Sequence, residues 1–185
     1  MKTLTIDNSK VWTVEDYLLL GETSTPCQLI DGDLIMSPSP TPYHQLILGN
    51  LYDVLKLNAK KTDAIVFFAP MDLYIDKQNI LQPDLLFISK ENKGIITHRG
   101  IEGVPDLVVE IISPSNIFTD RNKKKKIYQQ IGVKEFWIVD PANKTLEIYS
   151  KSQADLDTPT LFLVSEGEVR SAVLPELLFN LQDIF

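Results

Sequence analysis

The chain has 185 residues, 44% of them apolar, enough to bury one substantial core, so one domain spanning 1–185 is expected. Its 18 basic and 25 acidic residues give a formal charge of −7 and a pI of about 4.8, which argues against coating nucleic acid through the overall field; a polyanion partner needs a local basic patch. Cys27 is the only cysteine, which excludes an internal disulfide and a cysteine metal cage; with no leader-like start and no apolar run of about 18 residues, the expected setting is the cytoplasm and not the membrane.

Thr13 followed by Asp16 is a capping-box cue for a short helix running to about Gly21. Asp31-Gly32, between the apolar runs of CQLIDGDLIM, predicts a tight hairpin. Thr41 as cap and Pro42 in the first turn then open a long helix, whose apolar stripe runs through Ile47, Leu48, Leu51, Val54 and Leu55. Strand-like runs follow at AIVFFA, MDLYID, NILQPDLLFIS and PDLVVEII, the last nearly continuous and suited to a sheet covered on both faces. A helix is expected from about Asn116 to Ile131, ended by Gly132. EFWIVD, PANK and TLEIYS read as a hairpin, LFLVSEGEVRSAV as a last one, and LPELLFNLQDIF as a short apolar tail. Runs of strands with few helices between them predict a mixed α/β sheet and not a regular parallel array.

Charge intrudes on these strands at two places. Alternation puts Asp106, Val108, Glu110 and Ile112 on one face of PDLVVEII, so Glu110 is a carboxylate in the middle of a buried strand. An ionised carboxylate there must be paired, protonated or bound to a cation. Asp84, between Pro83 and the run Leu85 to Ile88, poses the same problem. A shared cation answers both, and oxygen-only ligation suits Mg²⁺ or Mn²⁺ better than Zn²⁺.

The helix DRNKKKKIYQQIGV supplies a third group. At about 100° per residue, Lys124 lies within roughly 15° of the centre of the apolar face set by Ile127, Tyr128 and Ile131, whereas Lys123 is about 90° away. Asp120 shares that face one turn earlier, and the other three lysines are left for solvent or phosphate. An inward lysine beside two carboxylates and a metal fits phosphodiester hydrolysis, the metal polarising the phosphoryl oxygen and activating water while the lysine orients that water or neutralises charge.

Asp84, Glu110 and Lys124 resemble the metal-binding core of the PD-(D/E)XK nuclease superfamily. More narrowly, LIDGDLIMSPSPTPYHQLI, LQPDLLFIS, GVPDLVVEIISPS, the Asp120, Lys124 and Tyr128 spacing, GVKEFWIVDP, LPELLF and the terminal DIF are similar to the Uma2 family of restriction-endonuclease-like proteins. The resemblance implies a restriction-endonuclease-like fold, a central mixed sheet flanked by helices with additional hairpins, and Asp84 and Glu110 on adjacent strands. It implies an Mg²⁺-dependent endodeoxyribonuclease, Mn²⁺ being an alternative, in which Asp84 and Glu110 ligate the metal, a backbone carbonyl near Ile111 completes the ligands and Lys124 supports the attacking water. DNA is the implied partner and a homodimer the expected assembly.

Two departures stand out: Ile112 occupies the superfamily's usual lysine position, and Gln28 stands where many relatives carry Glu. Other readings stay open at several residues. Glu110 with Lys124 also reads as a structural ion pair, Asp84 as a turn cap, and the four lysines as a solvated helix face. His44 either lines the cleft or is a satisfied helix-end histidine, and Asp106, at the strand start, is expected at solvent. The alternative function is a nuclease-fold protein that binds nucleic acid or a protein partner without cutting.

Overall fold

The protein is described by a computed structural model covering residues 9–21, 25–114, 117–151 and 157–185. Helix α1 (Val14–Leu19) opens on the expected capping box, with Asp16 N–H donating to Thr13 Oγ1 and Asp16 accepting from Thr13 N–H. Strands β1 (Cys27–Ile30) and β2 (Asp33–Met36) form the hairpin; Asp31 and Gly32 both take positive φ, 53° and 80°, as a two-residue primed turn requires. Helix α2 (Pro42–Thr62) is capped by Thr41, whose hydroxyl accepts from His44 N–H, and it buries Ile47, Leu51, Leu55 and Ala59.

The chain continues through β3 (Ile65–Phe68), β4 (Leu73–Asp76), β5 (Asn79–Leu81), β6 (Leu85–Ile88), β7 (Ile101–Glu102) and β8 (Leu107–Ile111). A π-helical segment (Thr119–Lys124) leads into α3 (Lys125–Ile131). Then come β9 (Glu135–Asp140), β10 (Thr145–Ser150), β11 (Leu161–Val164), β12 (Glu168–Arg170), β13 (Leu178–Asn180) and a 3₁₀ turn at Leu181–Ile184.

The expected mixed sheet is the six-stranded one, in the order β11-β10-β9-β8-β6-β3. Its one parallel pair among the described strands, β8 with β9, is joined by the crossover that carries α3. Alternation along β8 sorts the core: Leu107, Val109 and Ile111 pack with α2, while Val108 and Ile112 pack with Ile127 and Tyr128 of α3. A second sheet, β2-β1-β5-β4-β7, and a ribbon of β12 with β13 complete the architecture.

Four local expectations are corrected. NILQPDLLFIS is two strands in different sheets, broken at Gln82-Pro83-Asp84, where Pro83 has no N–H to give a ladder. LFLVSEGEVRSAV is not a hairpin: β11 pairs with β10 and β12 with β13, after positive φ at Ser165 and Gly167 redirects the chain. Asp106 does not face solvent but is 1% exposed, accepting from Ser89 N–H at 2.7 Å and from Lys134 at 2.6 Å. The stretch before α3 winds as a π-helix, and the expected start at Asn116 lies outside the described residues.

Candidate active site

The site forms at the end of β8, where α2 from one face and the π segment from the other reach the same strand end. The β6–β8 register pairs Leu85 with Val109, so one further step sets Asp84 opposite Glu110. Asp84 is fixed by its chain neighbour across that pair, Oδ2 accepting the Ile111 N–H at 2.7 Å. Its Oδ1 lies 3.4 Å from Nε2 of His44, and that nitrogen also lies 3.1 Å from the Ile111 carbonyl oxygen.

Glu110, Lys124 and Asp120 are 2–3% exposed. Lys124 Nζ donates to Glu110 Oε2 at 2.9 Å and lies 3.1 Å from Asp120 Oδ1, a charge contact and not an aligned hydrogen bond. Tyr128, fully buried, donates its hydroxyl to Glu110 Oε1 at 2.6 Å. Asp120 and Lys124 both point inward from within the π segment, whose wider turn is a feature common at functional sites.

The electrostatics follow from burial. Burial pushes the Glu110 carboxyl up, with Asp120 and Asp84 adding to the rise and Lys124 opposing it. Burial likewise raises Asp120 against the pull of Lys124. Burial pulls Lys124 down, but Glu110 and Asp120 outweigh it and the ammonium is held more firmly than usual. At His44 burial also acts downward, and the bond to and charge of Asp84 leave the net shift upward.

These groups line a cleft of about 1040 Å³ walled by Pro26, Pro38, Pro40, Leu48, Pro70 and Ile117. Among the described residues no three His, Cys, Asp or Glu side chains are gathered tightly enough to hold a metal, so a cation here would need main-chain oxygen as well. The charges nevertheless fit one. Three carboxylates face one ammonium, leaving a formal −2 with His44 neutral, and Asp120 Oδ1 and His44 Nδ1 are buried without a hydrogen bond.

Asp84, Glu110, Lys124, Asp120 and His44 are thus brought to one cleft, whereas two of the remaining lysines are engaged elsewhere. Lys123 pairs with Asp33, and Lys125 donates to the Asp157 carbonyl and lies over the Tyr149 ring. The sequence places Tyr128 on the apolar face and in the family spacing but assigns its hydroxyl no role; a buried tyrosine needs a partner for its O–H, and that is the signal for the bond to Glu110.

The family model described as "Putative restriction endonuclease", Uma2, matches residues 14–182. A crystal structure of "a putative nuclease belonging to DUF820" from Anabaena variabilis has the same fold, with a TM-score of 0.76 over 94% of this chain and 97% of that one at 22% identity. An uncharacterized protein of Synechocystis sp. is 25% identical over 151 residues, 80% of this chain and 85% of its own length. No helix among the described residues is long and apolar enough to cross a membrane.

Proposed function

The chain belongs to the Uma2 family, and from that premise we propose that it is a divalent-cation-dependent endonuclease that hydrolyses DNA phosphodiester bonds at the floor of this cleft. The observation that carries the reading is the surplus of carboxylate over ammonium in a buried floor: Asp84, Glu110 and Asp120 against Lys124. Asp84 and Glu110 would hold the cation, with the Ile111 carbonyl and His44 Nε2 beside them. His44 Nε2 lies 3.1 Å from the Ile111 carbonyl oxygen and 3.4 Å from Asp84 Oδ1, and once free of its proton it would be available to the cation as a nitrogen donor. A nitrogen donor tilts the preference from Mg²⁺ toward Mn²⁺.

When bound, the cation supplies Lewis acidity to a phosphoryl oxygen and a more acidic water. The chain's own groups do the rest. The Ile111 N–H and the Tyr128 hydroxyl fix the two carboxylates. Lys124 donates one of its three N–H groups to Glu110 and meets Asp120 by charge alone, which leaves donors to hold the attacking water or the charge that grows on phosphate. It acts as an ammonium and not as a base, because its neighbours keep it protonated. The apolar wall limits water at the reacting centre.

Nicking of supercoiled plasmid by the purified protein in Mn²⁺ or Mg²⁺, lost with chelator and in Asp84→Ala, tests the reading. Equal background from wild type and variant refutes cutting. Calorimetric titration with Mn²⁺ tests the metal separately, and binding without cutting would leave the alternative of a nuclease-fold binding module.

A further inference from the structure

Gln28, on β1 and 5% exposed, lines the same cleft as Ser37 and Gln82, and one contact fixes the direction of its carboxamide. The main-chain N–H of Gln82 approaches Gln28 Oε1 at 2.9 Å, and a main-chain N–H has only a proton to offer. The other end of the amide therefore faces Ser37 as a donor, Nε2 to Oγ at 3.1 Å. Ser37 accepts there, so its own hydroxyl proton is not spent on Gln28, and no other partner for that hydroxyl is found among the described residues.

The frame behind this pair is tied together by hydrogen bonds. Gln82 Nε2 donates to Asp72 at 2.7 Å, and Asp72 also accepts from the hydroxyls of Tyr17 at 3.1 Å and Tyr74 at 3.3 Å. The donors run into Asp72 on one side and toward the cleft on the other.

Among the described residues the lining of the cleft contains a single Lys or Arg, Lys124, and that ammonium is held between Glu110 and Asp120. A nucleic-acid strand in the cleft must therefore meet neutral donors at any phosphate away from the cation. Serine hydroxyls and glutamine amides are among the ordinary contacts to phosphate oxygen. We propose that Ser37 and Gln28 form a neutral hydrogen-bond-donor subsite for a phosphate oxygen next to the bond that is cut. The proposal rests on the nuclease reading above. Gln82 is two residues from Asp84, so the subsite and the carboxylate share one turn of chain.

The test is the affinity of a short fluorescein-labelled single-stranded DNA, read by anisotropy in Ca²⁺ to hold cleavage back, with Mn²⁺ affinity measured alongside. Ser37→Ala removes the donor and should weaken binding about tenfold. Gln28→Glu keeps the shape and still accepts from Gln82, but it takes the Ser37 proton and adds a negative charge. It should weaken binding at least as much, and more at low salt. Ser37→Ala should keep wild-type melting temperature and Mn²⁺ affinity, whereas Gln28→Glu, which buries a charge, should melt lower. Unchanged DNA affinity in both variants overturns the subsite and leaves the nuclease reading standing, as does a loss of DNA affinity that tracks a loss of Mn²⁺ affinity. A wild-type protein that binds neither Mn²⁺ nor the DNA overturns both.

Discussion

Replacing Lys124 by Met tests the electrostatic argument most directly, because it keeps the stem of the side chain and removes only the ammonium. In the wild type that ammonium is 3% exposed, 2.9 Å from Glu110 and 3.1 Å from Asp120. Its loss strands two buried carboxylates, and breaking a buried pair by removing one partner costs about 3–5 kcal/mol. For a chain of this size that is a fall in Tm of about 6–20 °C. Proton uptake limits the loss at low pH, since burial already raises both carboxyls. Urea unfolding of the metal-free variant followed by circular dichroism should therefore show a larger deficit at pH 8 than at pH 5.5. Saturating Mn²⁺ should recover part of it, and Glu110→Gln should be milder than Lys124→Met at pH 8. A Lys124→Met variant within about 0.5 kcal/mol of wild type at pH 8, the range of an ordinary surface change, would refute the picture of a charged, water-poor floor.

Three other outcomes are expected. Asp84→Asn keeps an acceptor for the Ile111 N–H but removes the charge, so plasmid nicking should fall by about 100-fold or more with little change in Tm; a wild-type rate would remove Asp84 from the chemistry. Glu110 and Asp120 are raised by burial, and His44 is raised because Asp84 outweighs burial, so these groups stabilise the fold below their ordinary values of 4.5, 3.8 and 6.5 and lose that contribution as pH climbs through the raised ones. Metal-free Tm should thus decline from about pH 5 to pH 8, and added Mn²⁺ should raise it more at pH 8, where fewer protons compete; a metal effect larger at pH 5.5 would reverse the sign and sink the assignment. Glu135→Ala should cost about 3 kcal/mol in urea, since that fully buried carboxylate accepts from Trp137 Nε1, Ser171 Oγ and Ala172 N–H, and hydrogen exchange should show residues 171–185 loosened; a cost under about 1 kcal/mol would contradict this.

Much of the site was legible because it violates local rules. Glu110 in an apolar strand and Lys124 on an apolar helix face announce themselves by alternation and angle, and both prove buried and bonded to each other. The Thr13 and Thr41 caps and the Asp31-Gly32 turn were legible for the opposite reason, since each rests on chemistry within a few residues. What escaped depends on partners far along the chain. Asp106 is buried because Lys134, 28 residues on, reaches it, and β11 joins β10 instead of β12, a choice of pairing that no short window contains. The break at Pro83 was visible as a missing donor, but not that the two halves enter different sheets. The polarity of Gln28 was hidden for the same reason, being set by the main chain of Gln82.

The π segment has a consequence for chain length. A π turn takes its hydrogen bonds one residue further along than an α turn, so Thr119–Lys124 accommodates its residues differently from the helix it enters. Ile127 and Tyr128 anchor α3 in the core, which fixes the downstream end. Inserting one residue among Arg121 to Lys123 would set Asp120 and Lys124 five apart, about 140° from each other around an ordinary α-helix, carrying Asp120 away from Lys124. Every side chain of the site would still be present, yet the charges would no longer meet. Spacing there is a constraint separate from residue identity, and an insertion–deletion scan would find it where a substitution scan would not.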